Sequence, residues 1–235
     1  EQARFGSAHS PGRLHAETWN VSGFGMAPGS RDFDPSEPAL IQFYGGVGMP
    51  EAGPVARDQY KAARRKLLGI VVKNNAYGHG LIDVAKAAAS AGADWLLADT
   101  VEEGMALRHE GIEEPVLVMG SVPVQELGLA VDYDLRLVVS RSQTVAKLAR
   151  LARTKSKIAK IHLELANNSD CLGLVPKDVI SFVRKIKPEF VEIEGVFARF
   201  NIEGAGEEGI ADELESVKSV VALLKANKIP ITVTS

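Results

Sequence analysis

The sequence has little cysteine. Its single thiol, Cys171, excludes an internal disulfide framework and a zinc site built from several cysteines. No sign of charge dominates: 27 Lys and Arg stand against 30 Asp and Glu, a formal net of -3. That balance argues against electrostatic capture of nucleic acid, which needs a basic stripe. No run of 18 apolar residues occurs, so no transmembrane helix and no membrane partner are expected. The N-terminus lacks a charged region leading into an apolar one, so no signal peptide is expected. A reducing, cytoplasmic setting is the default expectation. What the chain does have is material for a core. Its 235 residues, 46% of them hydrophobic, suffice for one large domain or two small ones.

Composition divides the chain. The first 55 residues hold 9 of the 22 Gly and 6 of the 11 Pro, too much punctuation for regular elements. Residues 1–57 are expected to form an irregular segment. Its one apolar run, Ala39 to Tyr44, reads as a short strand before Gly45-Gly46. Residues 58–66 read as a basic helix, and from there apolar runs alternate with amphipathic stretches up to residue 235. Strands are expected at Leu67–Val72, Trp95–Ala98, Pro115–Met119, Leu135–Val139, Lys160–Leu165, Val191–Phe197 and Ile229–Val233. Helices are expected at Leu81–Ala91, Val101–His109, Val124–Val131, Ser142–Arg153, Pro176–Ile186 and Gly209–Asn227. Ser140 or Ser142 is the expected cap of the fourth of these.

Strands alternating with helices mean βα units and a parallel sheet. Such units fit a barrel or a doubly wound sheet. The strand count favours an α/β fold of the TIM-like (β/α)8 barrel type over residues 58–235. Seven strands follow residue 66, so the barrel is expected to be incomplete or irregularly closed. Either the eighth strand comes from the N-terminal segment, or the barrel is open, or the sequence is a fragment.

Lys73 carries the chemistry. It follows a buried strand and precedes Asn74-Asn75-Ala76-Tyr77-Gly78-His79-Gly80. A lysine ending a strand of a parallel barrel delivers its amine to the mouth where such barrels work. An amine there suits a Schiff base with an aldehyde. Tyr77 supplies a hydroxyl, and Gly78 and Gly80 are expected to expose backbone N–H groups suited to a phosphate. The bland alternative is a solvated lysine beside a glycine turn.

The string from Val71 to Gly80 resembles the pyridoxal-phosphate lysine motif of alanine racemases, with its Ala-Tyr-Gly-His-Gly portion matching fully. Gly92 to Leu96 with Thr100 to Gly104, then Pro115 to Gly120, and Glu194 to Phe197, are similar to later units of that family. The resemblance covers about residues 60–235 and implies the family's N-terminal barrel domain. It implies pyridoxal 5'-phosphate as cofactor and interconversion of L- and D-alanine, a cell-wall precursor. Lys73 would hold the cofactor and act as one of two bases exchanging the α-proton. Tyr77 and Ser235 would bind the cofactor phosphate, and no metal is implied. The partners implied are a small amino-acid substrate, alanine, and a second copy of the chain in a homodimer. The family's second base, a tyrosine, comes from a C-terminal domain that lies past the point where this sequence stops.

Several positions depart from the family pattern. After the fifth strand the family places a lysine and an arginine where this chain has Glu164 and Cys171. Cysteine offers no bidentate cation for a carboxylate, and reads more simply as a small buried hydrophobe. Arg199 stands where the family has a histidine, either as a compensating cation or as a solvated charge. Glu37 to Gly46 faintly echoes the family's eighth strand. These departures motivate a second reading: a truncated or decayed relative that binds pyridoxal phosphate, or a phosphate, without racemising. His162 reads as a satisfied barrel histidine. Glu102-Glu103, Glu113-Glu114 and Glu207-Glu208 read as solvated charge pairs, and Arg64-Arg65-Lys66 as a solvated helix end.

Overall fold

A computed structural model of the chain describes residues 40–44, 67–166, 173–199 and 202–234. Eight strands appear: β1 Leu40–Tyr44, β2 Leu67–Val71, β3 Trp95–Ala98, β4 Val116–Val118, β5 Arg136–Val139, β6 Ala159–Leu165, β7 Val191–Ala198 and β8 Val233–Thr234. They form one parallel sheet in strictly sequential order, β1 to β8. The helices are α1 Leu81–Ala91, α2 Val101–His109, α3 Leu127–Asp132, α4 Ser142–Thr154, α5 Val179–Val183 and α6 Ile202–Ala226. A 3-10 turn, Pro176–Asp178, leads into α5.

Local chemistry explains most of these elements. β3 and β4 are apolar and buried at every position, as strands covered on both faces must be. Helix α4 buries Val145, Leu148 and Ala152, spaced three and four apart, and turns its charged residues outward. Helix α1 ends on Gly92 in the left-handed conformation that glycine adopts without cost. Three expectations need correcting. Neither Ser140 nor Ser142 caps α4; Arg141 holds the cap position and makes no side-chain bond there. Ser140 Oγ donates instead to Glu164, a tertiary partner the local pattern does not reveal. The stretch 176–186 splits because its first turn, begun by Pro176, is 3-10 rather than α. The last strand is confined to Val233–Thr234, with the proline of Ile229-Pro230 unable to donate to a ladder. The expected basic helix over 58–66 lies outside the described residues.

The sheet is curled. Trp95 on β3 and His162 on β6 meet edge to face, ring centroids 5.4 Å apart. In a flat sheet three strand spacings would separate them by about 14 Å. Arg199, just past β7, donates to the carbonyl of Met119, just past β4, at 2.6 Å. The result is an incomplete α/β barrel with β1 and β8 at the two ends of the strand order. Val71, Trp95, Leu97, Leu117, Met119, Phe197 and Val233 fill its concave side, while the larger apolar cluster lies between sheet and helices. The ALIQFY run does form a strand, and it pairs with β2, the strand that leads to Lys73.

At the strand-start end the interior turns polar. The β6–β7 register slips between Ile161 and His162, so Ile193 and Gly195 pair with consecutive residues and Glu194 is the extra one. A bulge of this kind re-aims a side chain. Glu194 thereby meets Arg136 Nε at 3.2 Å and His162 Nε2 at 3.5 Å. Arg136 also donates to Asp134 at 2.9 Å and lies over the Trp95 ring. His162 is 0% exposed, a buried histidine of the barrel interior.

Burial lowers the His162 pKa; Glu194 opposes this and Arg136 adds to it. Burial pushes the Glu194 carboxyl up, but His162 and Arg136 outweigh it and hold the group below the ordinary carboxylate range. Both shifts disfavour the fold in acid. A histidine kept neutral by folding takes a proton more readily once unfolded. Its contribution is complete above the unfolded value, about 6.5, and is lost as pH falls through it. Glu194 adds a second loss at lower pH. Unfolding free energy is therefore expected to fall between about pH 7 and about pH 5, by at most about 1.4 kcal/mol per pH unit from His162, read as a falling thermal midpoint. His162→Gln should flatten that part of the profile, and an unchanged slope would refute the assignment.

Candidate active site

Lys73 sits half-buried two residues past the end of β2, at the strand-end mouth of the barrel. The chain leaves it through a left-handed turn. Asn74, Asn75, Ala76 and Tyr77 all have φ between 50 and 55°. Each non-glycine residue in that region costs roughly 1–2 kcal/mol. Such a conformation persists only where its surroundings over-determine it. Here they do. Val72 N–H donates to Leu97 O of β3 at 2.8 Å, and Val72 O accepts from Ala76 at 2.8 Å. Asn75 is the hub: its carbonyl accepts from Gly78 and Gly80, each at 3.0 Å, and its side-chain oxygen caps Leu81 at 2.8 Å. Asn75 N–H donates in turn to Glu103 Oε1 at 3.4 Å.

Glu103 was expected to be half of a solvated charge pair; it is a structural clamp. Its other oxygen accepts from Asp99 N–H at 2.8 Å and Thr100 N–H at 3.3 Å, while Thr100 Oγ1 accepts from Glu103 N–H at 3.1 Å. This capping box opens α2 and ties it to the lysine turn. The pattern Thr100-x-x-Glu103 carries the signal. A second expectation also fails. Gly78 and Gly80 do not hold free N–H groups for an anion, because both bond within the turn. Their role is conformational, with φ of 90° and 100°.

Tyr77 lies at the end of the turn, 40% exposed, and His79 is exposed. Ser235, Cys171 and the whole stretch 167–172 lie outside the described residues, as do Glu37 and Arg64 to Lys66. Lys73 and Tyr77 thus share one turn, and nothing is placed for Ser235.

Across the mouth stands an ion pair. Arg199 Nε lies 3.7 Å from Glu164 Oε1, at the ends of β7 and β6. Glu164 Oε2 accepts from Ser140 Oγ at 3.2 Å, at the end of β5. The Arg199 guanidinium also covers the Phe197 ring, 5.3 Å from its centroid. Between these sides, Gly120 permits a close approach: a Cβ there would sit 2.2 Å from Asp99 O. The turn past β2 therefore carries a primary amine and a phenol, and Arg199 past β7 adds a guanidinium at the same end of the sheet. This donor set fits a small aldehyde that also bears anionic groups, the chemical character of pyridoxal phosphate.

Comparison with known proteins agrees in family and fold. The family model for the alanine racemase N-terminal domain matches residues 56–235. The chain is 40% identical over 141 residues to alanine racemase 2 of Caldanaerobacter subterraneus subsp. tengcongensis, covering 58% of this chain and 36% of that protein. It is 39% identical over 128 residues to the alanine racemase of Symbiobacterium thermophilum, covering 54% and 34%. The chain thus spans about a third of the length of the curated relatives it matches. Among solved structures, alanine racemase from the D-cycloserine-producing Streptomyces lavendulae superposes with a TM-score of 0.70 at 26% identity, covering 83% of this chain and 51% of that one. The Clostridium difficile 630 alanine racemase in complex with cycloserine gives 0.67 at 25% identity, covering 71% and 46%. With the lysine motif, the curled parallel sheet and the match over residues 56–235 in agreement, the chain belongs to the alanine racemase family, by way of its N-terminal domain.

Proposed function

We propose that this chain is the cofactor-holding part of a pyridoxal 5'-phosphate-dependent enzyme that interconverts L- and D-alanine. The observation that carries the reading is the position of Lys73. It lies at the barrel mouth on a strained turn clamped by Asn75 and Glu103. In this reading Lys73 Nζ holds the cofactor aldehyde covalently. The Tyr77 hydroxyl, and Ser235 with it, bind the phosphate. The bound cofactor supplies an electron sink for the charge left on the α-carbon when its proton departs. Lys73 Nζ takes or returns that proton on one face. The base for the opposite face, and a homodimer that would bring it, belong to the longer protein that the relatives represent.

The test is direct. Purified chain is mixed with pyridoxal phosphate, its visible spectrum is recorded, and the sample is reduced with borohydride and digested. A reduced adduct mapped to Lys73, with exchange of the alanine α-proton into solvent, supports the reading. The adduct without exchange favours the second reading, a relative that binds the cofactor but does not racemise. No adduct at Lys73 overturns both.

A further inference from the structure

We propose that the outer face of the barrel carries a second binding site, a cleft between α4 and α5 that takes a small amphipathic anion, one acidic head on an extended apolar body. The site is separate from Lys73. It lies on the helix side of the sheet, and its charged end stands beside the start of β7, the end opposite the mouth.

The cleft follows from a mismatch between two helices. Helix α4 runs for 13 residues, whereas α5 stops after 5. From Arg184 the chain continues in turns to Val191 and leaves the second half of α4 without a helix beside it. Ala146 and Ala149 are too small to refill the space. A cavity of about 340 Å³ remains, within the range of small-molecule sites. Residues from Ser142 to Arg153 line it, so it extends about 16 Å along α4 at 1.5 Å per residue. A volume of that size suits one small molecule rather than a protein surface, whose contacts bury far more.

The lining has two characters. Val145 and Phe182 are buried and Ile186 and Phe190 half-buried, and these make an apolar floor. Arg150, Arg153, Lys185 and Lys187 line the same cavity and are exposed. Helix α4 starts just past the end of β5 and runs back along the sheet, which carries Arg150 and Arg153 to the strand-start end. Lys185 and Lys187, on the segment leading into β7, are at that end too. The cleft is therefore apolar along its length and cationic at one end.

Nothing in the cavity balances those cations. No carboxylate lines it, and Glu189, next in sequence, is exposed outside it. Among the described residues none of the four makes an ion pair or a side-chain hydrogen bond. The chain as a whole has a formal net charge of -3, so four uncompensated positive charges around one cavity are a local reversal of sign. Gathered like charges focus the potential and draw in an anion. The two guanidiniums offer planar forks for an acidic head and the two ammoniums offer mobile charges beside them. The phenylalanines and alanines then cover the apolar body.

The test follows the amide resonances of the chain as octanoate is added. 1-Octanol serves as the same body without the charge, and inorganic phosphate as a charge without the body. Octanoate should give saturable shifts confined to the cleft, at Ala146, Ala149, Phe182 and Lys187. 1-Octanol should bind about 10-fold more weakly, and phosphate should leave Ala146 and Ala149 unmoved. Arg150→Gln combined with Lys187→Gln should weaken octanoate about 10-fold and leave 1-octanol within about twofold. Ala146→Trp, at an exposed position, should fill the cleft and abolish octanoate binding while the thermal midpoint stays within about 2 °C of the parent. Lys73→Ala should leave octanoate binding unchanged. Shifts that are scattered and do not saturate overturn the proposal, as does equal binding of octanoate and 1-octanol. Loss of octanoate binding in Lys73→Ala would move the site to the mouth and overturn it as well. Should Ala146→Trp fail to fold, the paired glutamine variant decides, and octanoate affinity unchanged in that variant ends the case for the cationic end.

Discussion

Replacing Glu194 by alanine is expected to destabilise the fold by about 3–5 kcal/mol, the usual cost of removing one partner of a buried ion pair. The Arg136 guanidinium is 7% exposed and cannot turn to water. Without Glu194 its hydrogen-bonding partners among the described residues are the Asp134 side chain and carbonyl, and that carboxylate is itself 55% exposed. His162 loses its facing charge at the same time. Urea denaturation of the two proteins measures the difference, and a loss below about 0.5 kcal/mol would show that the cluster contributes nothing net. Glu194→Gln keeps an acceptor for Arg136 and should cost less. Pairing Glu194→Leu with Arg136→Met removes both charges together and should recover much of the loss, because desolvation of the ions disappears with them. That recovery separates a charge effect from simple disturbance of the bulge.

Lys73→Ala is expected to abolish covalent capture of the cofactor and to lower α-proton exchange by about two to four orders of magnitude, the range that a positioned proton-transfer group supplies. The variant should fold. The lysine turn is held by backbone bonds and by Asn75 and Glu103, not by the ammonium. Thermal midpoints within about 2 °C of the parent would establish this, since exposed or half-buried changes away from such features cost little. Lys73→Arg is the informative companion, because it keeps the charge but cannot condense with an aldehyde. An adduct that persists in either variant would assign capture to another amine and end the case for Lys73.

The strands were the legible part of the fold. Runs such as Leu67 to Val72 and Trp95 to Ala98 read as strands because burial on both faces leaves no polar interruption. The lysine turn was legible as a motif but not as a conformation. Nothing in Asn74-Asn75-Ala76-Tyr77 announces four left-handed residues, since an alanine and a tyrosine resist that region. The turn is imposed by partners distant in the chain, Leu97 and Glu103. Glu103 was visible as the fourth position of Thr-x-x-Glu, yet its neighbour Glu102 made the pair look like a solvated charge run. Glu194 was illegible in principle. Its inward direction depends on a register slip against β6, a property of two strands together. Arg199 was legible as a cation near the mouth, but its path to Met119 exists only once the sheet curls.

The sequential strand order bears on how the chain acquires its fold. Each strand pairs with the one before it in sequence, so every ladder closes a short loop and none waits for a distant segment. Loop-closure entropy then rises little from step to step. Such a sheet can grow in the direction of synthesis, one unit at a time. The exceptions are the contacts that span the interior, Trp95 with His162, Arg136 with Glu194 and Arg199 with Met119, which join residues 58 to 80 positions apart. These must form last, when curvature brings the strand ends together. Substitutions there should therefore leave the rate of folding nearly unchanged and appear as faster unfolding.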